Sequence, residues 1–323
     1  MIRHWPYILG RPLQLGFPRA VFAFVLSLLI GEFVFAESVE RCPKAEVVLQ
    51  VLGAGGPEVE DLHASSGYLI WIDGRARVLV DLGGGVPLRF AAAGAEFTDL
   101  DVILFTHLHA DHSAGLPVLV KSSFLSDRQR DLPVFGPAGN DFLPSVSTFV
   151  ERLFAKPHGV YPYLHEYIEP GRGAYTLRPI VVQPARDAAW QSNHLSRFKL
   201  KAAKVHHGPL PALAWRIEVG ARSVTISGDT SAQSDSLSRL AADSDIFVAH
   251  NAVPEGASGV ARKLHMTPSR IGEIAAKAKV KHLVLSHRMR RTFGREDSTR
   301  LAIRKSFGGS VTFADDLSCY PID

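Results

Sequence analysis

The chain has 323 residues, of which 46% are hydrophobic and 21% charged, and a formal net charge of +4. That balance excludes a disordered tail, a collagen and a disulfide-stapled miniprotein, and it provides for a sizeable core. With 2 cysteines against 14 histidines, any metal must be held by imidazole and carboxylate.

Arg3, Arg11 and Arg19 precede an apolar run from Ala20 to Gly31, and Val34 and Ala36 stand at −3 and −1 of a cleavage point after Ala36. This is the grammar of a secretory signal peptide. A bilayer span needs about 20 apolar residues, and Glu32 interrupts this run. The expectation is a leader over residues 1–36, a single domain over 37–323, a periplasmic or secreted location, and no stable membrane association after cleavage. Without the leader, 33 basic residues face 31 acidic ones for a net charge of +2, too even for a broad nucleic-acid surface. Cys42 and Cys319 stay in the mature chain. An oxidising compartment allows them to bridge, two buried thiols are the alternative, and the sequence leaves both open.

Short β runs follow at Ala45–Gly53, Ser66–Asp73 and Arg77–Gly85, branched or aromatic in composition and punctuated by Asp73-Gly74. Leu100–His109 is almost continuously apolar until its polar end, as a strand buried on both faces would be. The stretch from Lys121 to Phe198, rich in proline and glycine, reads as helices and loops over one face of a sheet. Strands return at Leu210–Val219, Ser223–Thr230 and Asp245–Asn251. Thr267–Ala278 predicts an amphipathic helix, with Thr267 at the N-cap, Pro268 at N1 and Ile271, Ile274, Ala275 and Ala278 on one face. A strand at His282–His287, a helix at Arg295–Phe307 and a strand at Ser310–Ala314 complete the chain. Such alternation predicts an α/β fold of two β layers covered by helices.

The polar end of the apolar strand reads Thr106-His107-Leu108-His109-Ala110-Asp111-His112. His107 and His109 share a face of an extended segment, because side chains repeat every second residue. A turn after them lets Asp111 and His112 face a second ion. Imidazole and carboxylate at this density suit Zn²⁺ or a similar first-row ion.

This run resembles the signature of the metallo-β-lactamase superfamily, and the similarity extends over nearly all of the mature chain. It implies an αββα sandwich of two β-sheets covered by helices. It also implies a dinuclear zinc hydrolase in which a hydroxide shared by the two ions is the nucleophile. His107, His109 and His207 would hold one Zn²⁺, Asp111, His112 and His287 the other, with Asp229 of Ser227-Gly228-Asp229-Thr230 bridging them. Only one of the adjacent His206 and His207 can point inward from a strand. The resemblance selects His207, and His206 remains the alternative. Asp81 resembles the superfamily's buried supporting aspartate.

Within the superfamily, the bridging aspartate separates this chain from the penicillin-hydrolysing members. Its combination of motifs looks most like the ribonuclease Z, arylsulfatase and cyclic-nucleotide phosphodiesterase branch. By that resemblance His265, in His-Met-Thr, is a general acid or oxyanion stabiliser, and Asp111 and His250 join it as catalytic candidates. Asn251 stands where the branch has a glutamate. Only 22 positions separate His207 from Asp229, room for a hairpin and not for the protruding arm of the tRNA-processing enzymes, so tRNA is disfavoured. The expected substrate is a small phosphodiester or related ester. An aryl sulfate, or a lactone or thioester, is the alternative, and a homodimer is left open.

Overall fold

The computed structural model describes residues 42–322 apart from 186, 187, 193 and 194. The predicted leader therefore lies outside the described residues. The alternating runs become β1 (Val47–Gly53), β2 (Gly67–Ile72), β3 (Arg75–Val80), β4 (Val102–Leu104), β5 (Leu132–Pro137) and β6 (Leu177–Val182), followed by β7 (Trp190–Ser192), β8 (Lys199–His207), β9 (Leu210–Val219), β10 (Arg222–Ile226), β11 (Ile246–His250), β12 (His282–Ser286), β13 (Ser310–Phe313) and β14 (Cys319–Ile322). They form two seven-stranded sheets, ordered β14-β1-β2-β3-β4-β5-β6 and β13-β12-β11-β10-β9-β8-β7. The helices are α1 (Val86–Ala92), α2 (Ala110–Ser113), α3 (Leu116–Ser122), α4 (Val146–Phe154), α5 (Ser236–Leu240), α6 (Gly259–Leu264), α7 (Pro268–Ala278) and α8 (Glu296–Arg304).

Alternation within each strand sends residues to two cores. Val47, Leu49, Val51, Ile70 and Val80 of the first sheet meet Leu200, Trp215, Ile226 and Val248 of the second in an inner layer. The opposite faces are covered by α1, α3 and α4 through Phe90, Leu119 and Val150, and by α5 and α7 through Leu237, Ile271 and Ile274. The result is the expected layering of helix, sheet, sheet and helix.

One expectation is corrected. The stretch from Lys121 to Phe198 contributes β5, β6 and β7 to the sheets rather than only helices and loops. Pro133 in β5 and Pro179 in β6 argue against strands in the sequence. β6, at the sheet edge, tolerates a residue without an N–H. At α7, Thr267 occupies the N-cap position but makes no side-chain capping bond. Its Oγ1 turns to Ser269 Oγ at 3.2 Å, and Glu255 Oε2 accepts from the Ser269 amide at 2.8 Å. Among the described residues no helix is long and apolar enough to cross a membrane.

Cys42 and Cys319 are joined in a disulfide with Cα atoms 5.5 Å apart and 277 positions between them in sequence. The bridge ties the start of the described chain to β14, which pairs with β1. Restricting so long a loop in the unfolded chain stabilises the fold by about 2–4 kcal/mol. The double variant Cys42→Ala/Cys319→Ala should therefore unfold at lower denaturant, and an unchanged urea midpoint would contradict this.

Candidate metal centre

β3 and β4 run parallel, Val80 beside Leu104, so the segments that follow them leave the first sheet side by side. Asp81 adopts a left-handed backbone (φ 55°), a conformation that costs a non-glycine residue about 1–2 kcal/mol. Its carboxylate is fully buried. Oδ1 accepts from the Thr106 amide at 2.7 Å, and Oδ2 accepts from Thr106 Oγ1 at 2.7 Å and meets His112 Nδ1 at 2.8 Å. One aspartate thus pins both ends of the histidine-rich segment. Between them the chain turns through α2, with His109 at its N-cap.

The second sheet supplies the rest. His207 is the last residue of β8, and its Nδ1 lies 3.1 Å from the Leu264 carbonyl. Asp229 follows β10 after Gly228, whose φ of 59° suits glycine and whose absent Cβ would sit 2.9 Å from the Leu213 carbonyl oxygen and Thr106 Cβ. His287 follows β12 at φ 53°. Two left-handed non-glycine residues at strand ends, Asp81 and His287, are backbone strain of the kind that gathers at functional sites.

These side chains converge as two groups sharing one carboxylate. His107, His109, His207 and Asp229 form one, and His112, Asp229, His250 and His287 the other, with ligand atoms in each group within 4.8 Å of one another. Asp229 Oδ2 lies 4.0 Å from His107 Nε2 and 3.8 Å from Nε2 of both His112 and His207, while Oδ1 lies 3.3 Å from His287 Nε2. Asp111 Oδ2 enters the second group, 3.3 Å from His287 Nε2 and 3.6 Å from His112 Nε2. The Nε2 atoms of His107, His112, His207 and His287 are buried and have no hydrogen-bond partner. Unpartnered buried polar atoms are costly. Four of them aimed at one pair of carboxylates fit divalent cations, with the Nδ1 contacts of His112 and His207 orienting the rings.

Burial pushes the His107 and His109 imidazoles below their ordinary range and takes His250 and His265 down to about 4. Burial alone would also lower His112, but the Asp81 carboxylate outweighs it and holds this group at about 9. His287 is raised likewise, with Asp229 overcoming burial. Burial would raise Asp111, but the His287 imidazole beside its carboxylate, with His112, brings it down to about 2. In the metal-free protein the lowered histidines take up protons more readily once unfolded, so stability falls as pH drops below the ordinary 6.5. The His112 contribution is complete below 6.5 and is lost as pH rises through about 9. The melting temperature of the chelated protein should thus peak near pH 6.5 and decline on both sides. Zinc should move the peak upward, because it binds deprotonated imidazoles. A melting curve that climbs steadily to pH 9 without metal would contradict this.

All seven candidate ligands are brought together here. His206 is not. It is exposed, and its Nδ1 lies 3.1 Å from Ser231 Oγ. His265 is buried at the C-cap of α6, with Nδ1 3.8 Å from Asp229 Oδ2. His250 stands behind Asp229 with both ring nitrogens engaged inside the protein. Asn251 is fully buried, its amide nitrogen 3.4 Å from the Val253 carbonyl oxygen. Tyr68, whose hydroxyl meets His250 at 2.9 Å, had no signal of its own in the sequence. It reads there as one more aromatic position of a strand. A cavity of about 430 Å³ is lined by Ser231, Arg262, Lys263 and Arg270, and none of its lining residues is a candidate ligand.

Comparison with known proteins accords with this geometry. A family model described as "Beta-lactamase superfamily domain" matches residues 76–288. A ribonuclease Z of Mycobacterium bovis is 29% identical over 285 residues, covering 83% of this chain and 96% of that protein. Among solved structures, the metallo-beta-lactamase fold protein YhfI of Bacillus subtilis aligns with a TM-score of 0.67 at 23% identity, covering 86% of this chain and 99% of that one. The short form of human tRNase Z aligns with a TM-score of 0.66 at 20% identity, covering 85% and 99%. At these identities the structural likenesses speak for the fold alone.

Proposed function

The chain is a metal-dependent hydrolase that belongs to the beta-lactamase superfamily, and from that premise we propose that it cleaves small phosphodiesters at a centre of two zinc ions. The observation that carries this reading is Asp229, a single buried carboxylate shared by two groups of imidazoles. Ligands of nitrogen and oxygen without thiolate suit zinc or a similar first-row ion. Bound cations would polarise the ester and make hydroxide available near neutral pH.

His107, His109 and His207 would hold one ion and Asp111, His112 and His287 the other, with Asp229 shared between the two groups. Asp81 receives the Nδ1 proton of His112, and the Leu264 carbonyl that of His207. Each contact leaves Nε2 as the free lone pair. Burial keeps the His265 imidazole uncharged. It therefore donates an N–H to the oxygen that gathers charge as the ester bond breaks, a stabilising role rather than that of an imidazolium acid. A phosphodiester agrees with the ribonuclease Z relative.

Between His207 and Asp229 the chain forms only β9, β10 and their short turns, which favours small substrates over tRNA. Export belongs to the same reading. The Cys42–Cys319 bridge supports it, because disulfides persist in oxidising compartments.

The test is one panel. The zinc-loaded protein from residue 37 onward is assayed on bis(p-nitrophenyl) phosphate, cyclic nucleotides, an aryl sulfate, a lactone, a thioester and a β-lactam. Phosphodiester turnover above all others is the expected result. Inertness toward every phosphodiester, with turnover of another ester, would overturn the substrate reading.

A further inference from the structure

We propose that Tyr68 is a positioning residue of the metal centre: its hydroxyl holds His250, and His250 aims the carboxylate of Asp229. The inference rests on the reading of Asp229 as the shared ligand.

Tyr68 lies on β2 of the first sheet, and its ring belongs to the apolar layer between the sheets with Ile226, Val248 and Val284. It is fully buried. A phenylalanine would fill this space without desolvating a hydroxyl, so a tyrosine here calls for a use of its oxygen. That oxygen crosses to the second sheet, 2.9 Å from His250 Nε2 and 3.0 Å from Ser286 Oγ. Ser286 immediately precedes His287, so the hydroxyl touches the strand ends that carry both histidines.

His250 Nδ1 lies 2.8 Å from Asp229 Oδ1. A carboxylate only accepts, so Nδ1 carries the proton and donates it. Nε2 faces the tyrosine oxygen, away from Asp229. His250 therefore has no lone pair to offer a cation, although by distance alone it groups with His112, Asp229 and His287. Asp111 Oδ2, 3.3 Å from His287 Nε2 and 3.6 Å from His112 Nε2, takes that place instead. With Oδ1 accepting from His250, Asp229 is kept from exchanging its two oxygens by rotation. Oδ2 is left facing the Nε2 atoms of His107, His112 and His207. The His250 amide donates to Ser227 Oγ at 3.1 Å, which fixes the other end of the residue. No other described side chain links the first sheet's inner face to the orientation of the shared carboxylate through an uninterrupted line of hydrogen bonds.

The test reads metal binding, which loss of packing alone would not move. Equilibrium dialysis against Zn²⁺ is run on the wild-type protein, Tyr68→Phe, His250→Asn and the double variant, with melting of each chelated protein as the control for folding. Tyr68→Phe should weaken zinc binding about 10- to 100-fold, with the chelated protein still melting cooperatively at a temperature lowered by the His250 and Ser286 groups left without their partner. His250→Asn keeps an amide N–H near Asp229 but cannot reach Tyr68. In that background Tyr68→Phe should add no further loss, because its influence passes through His250. Wild-type affinity in Tyr68→Phe, or losses that simply add in the double variant, would overturn the inference. A wild-type chain that takes up no zinc removes the shared-ligand reading and this inference with it, so the two failures are told apart.

Discussion

Asp229→Asn should leave a folded protein that has lost at least about 10³-fold in kcat/KM toward a phosphodiester and that binds less zinc per chain. The substitution changes little in volume and removes only charge and one acceptor. Asp229 is buried and sits between the Nε2 atoms of His107, His112, His207 and His287, all within 4.0 Å. Burial would raise its carboxyl, but the charge of His287, the hydrogen bond from His250 and the charge of His112 hold it well below the usual carboxylate range. An amide in this place could not balance the charge of the two proposed cations, and its NH₂ would present protons to candidate ligands that need a lone pair. Metal content and kcat/KM, measured on the same preparations, check the result. Full activity in a variant of confirmed sequence would remove Asp229 from the centre.

Asp81→Asn should cost about 1–3 kcal/mol of stability through a buried donor left without its acceptor, and Asp81→Ala about 3–5 kcal/mol. Asp81 touches no substrate. Its effect on activity comes through the His112 tautomer. With a carboxylate at position 81, Nδ1 of His112 donates at 2.8 Å and Nε2 keeps its lone pair. An amide nitrogen there would favour the opposite tautomer, with the proton on Nε2, where a metal ligand cannot carry one. Zinc binding by the group containing His112 should then weaken about 10- to 100-fold, while the group of His107, His109 and His207 is less affected. Urea unfolding and zinc titration separate the two effects. Equal weakening of both groups would point to general disorder rather than to a tautomer.

The ligand set was legible because its chemistry is local. His107, His109, Asp111 and His112 lie within one strand end and one turn, and a period of two decides which of them share a face. His207, Asp229 and His287 were named through resemblance, each at the end of an apolar strand, and the fold brings all seven together. Less could be read where chemistry depends on contacts across the sheets. Nothing in Gly67-Tyr68-Leu69 distinguishes a core aromatic from one whose hydroxyl reaches a histidine 182 positions away. His250 beside Asn251 left its role open, and its two hydrogen bonds put it behind Asp229. β5 and β6 were hidden by Pro133 and Pro179, which a sequence pattern penalises, although Pro179 lies on the edge strand, where a missing N–H is tolerated.

Composition and spacing by themselves determined that the chain has a large core, that it alternates strands and helices, and that its candidate metal ligands are imidazole and carboxylate. Those properties follow from side-chain chemistry and from the short periods of strand and helix. Only the tertiary structure decided that His207 rather than His206 faces inward, that Cys42 and Cys319 meet, and that one aspartate stands between two groups of imidazoles. Each of those depends on where distant strand ends come to rest against one another. Their packing across the inner layer is set by the whole fold, which no local window of sequence contains.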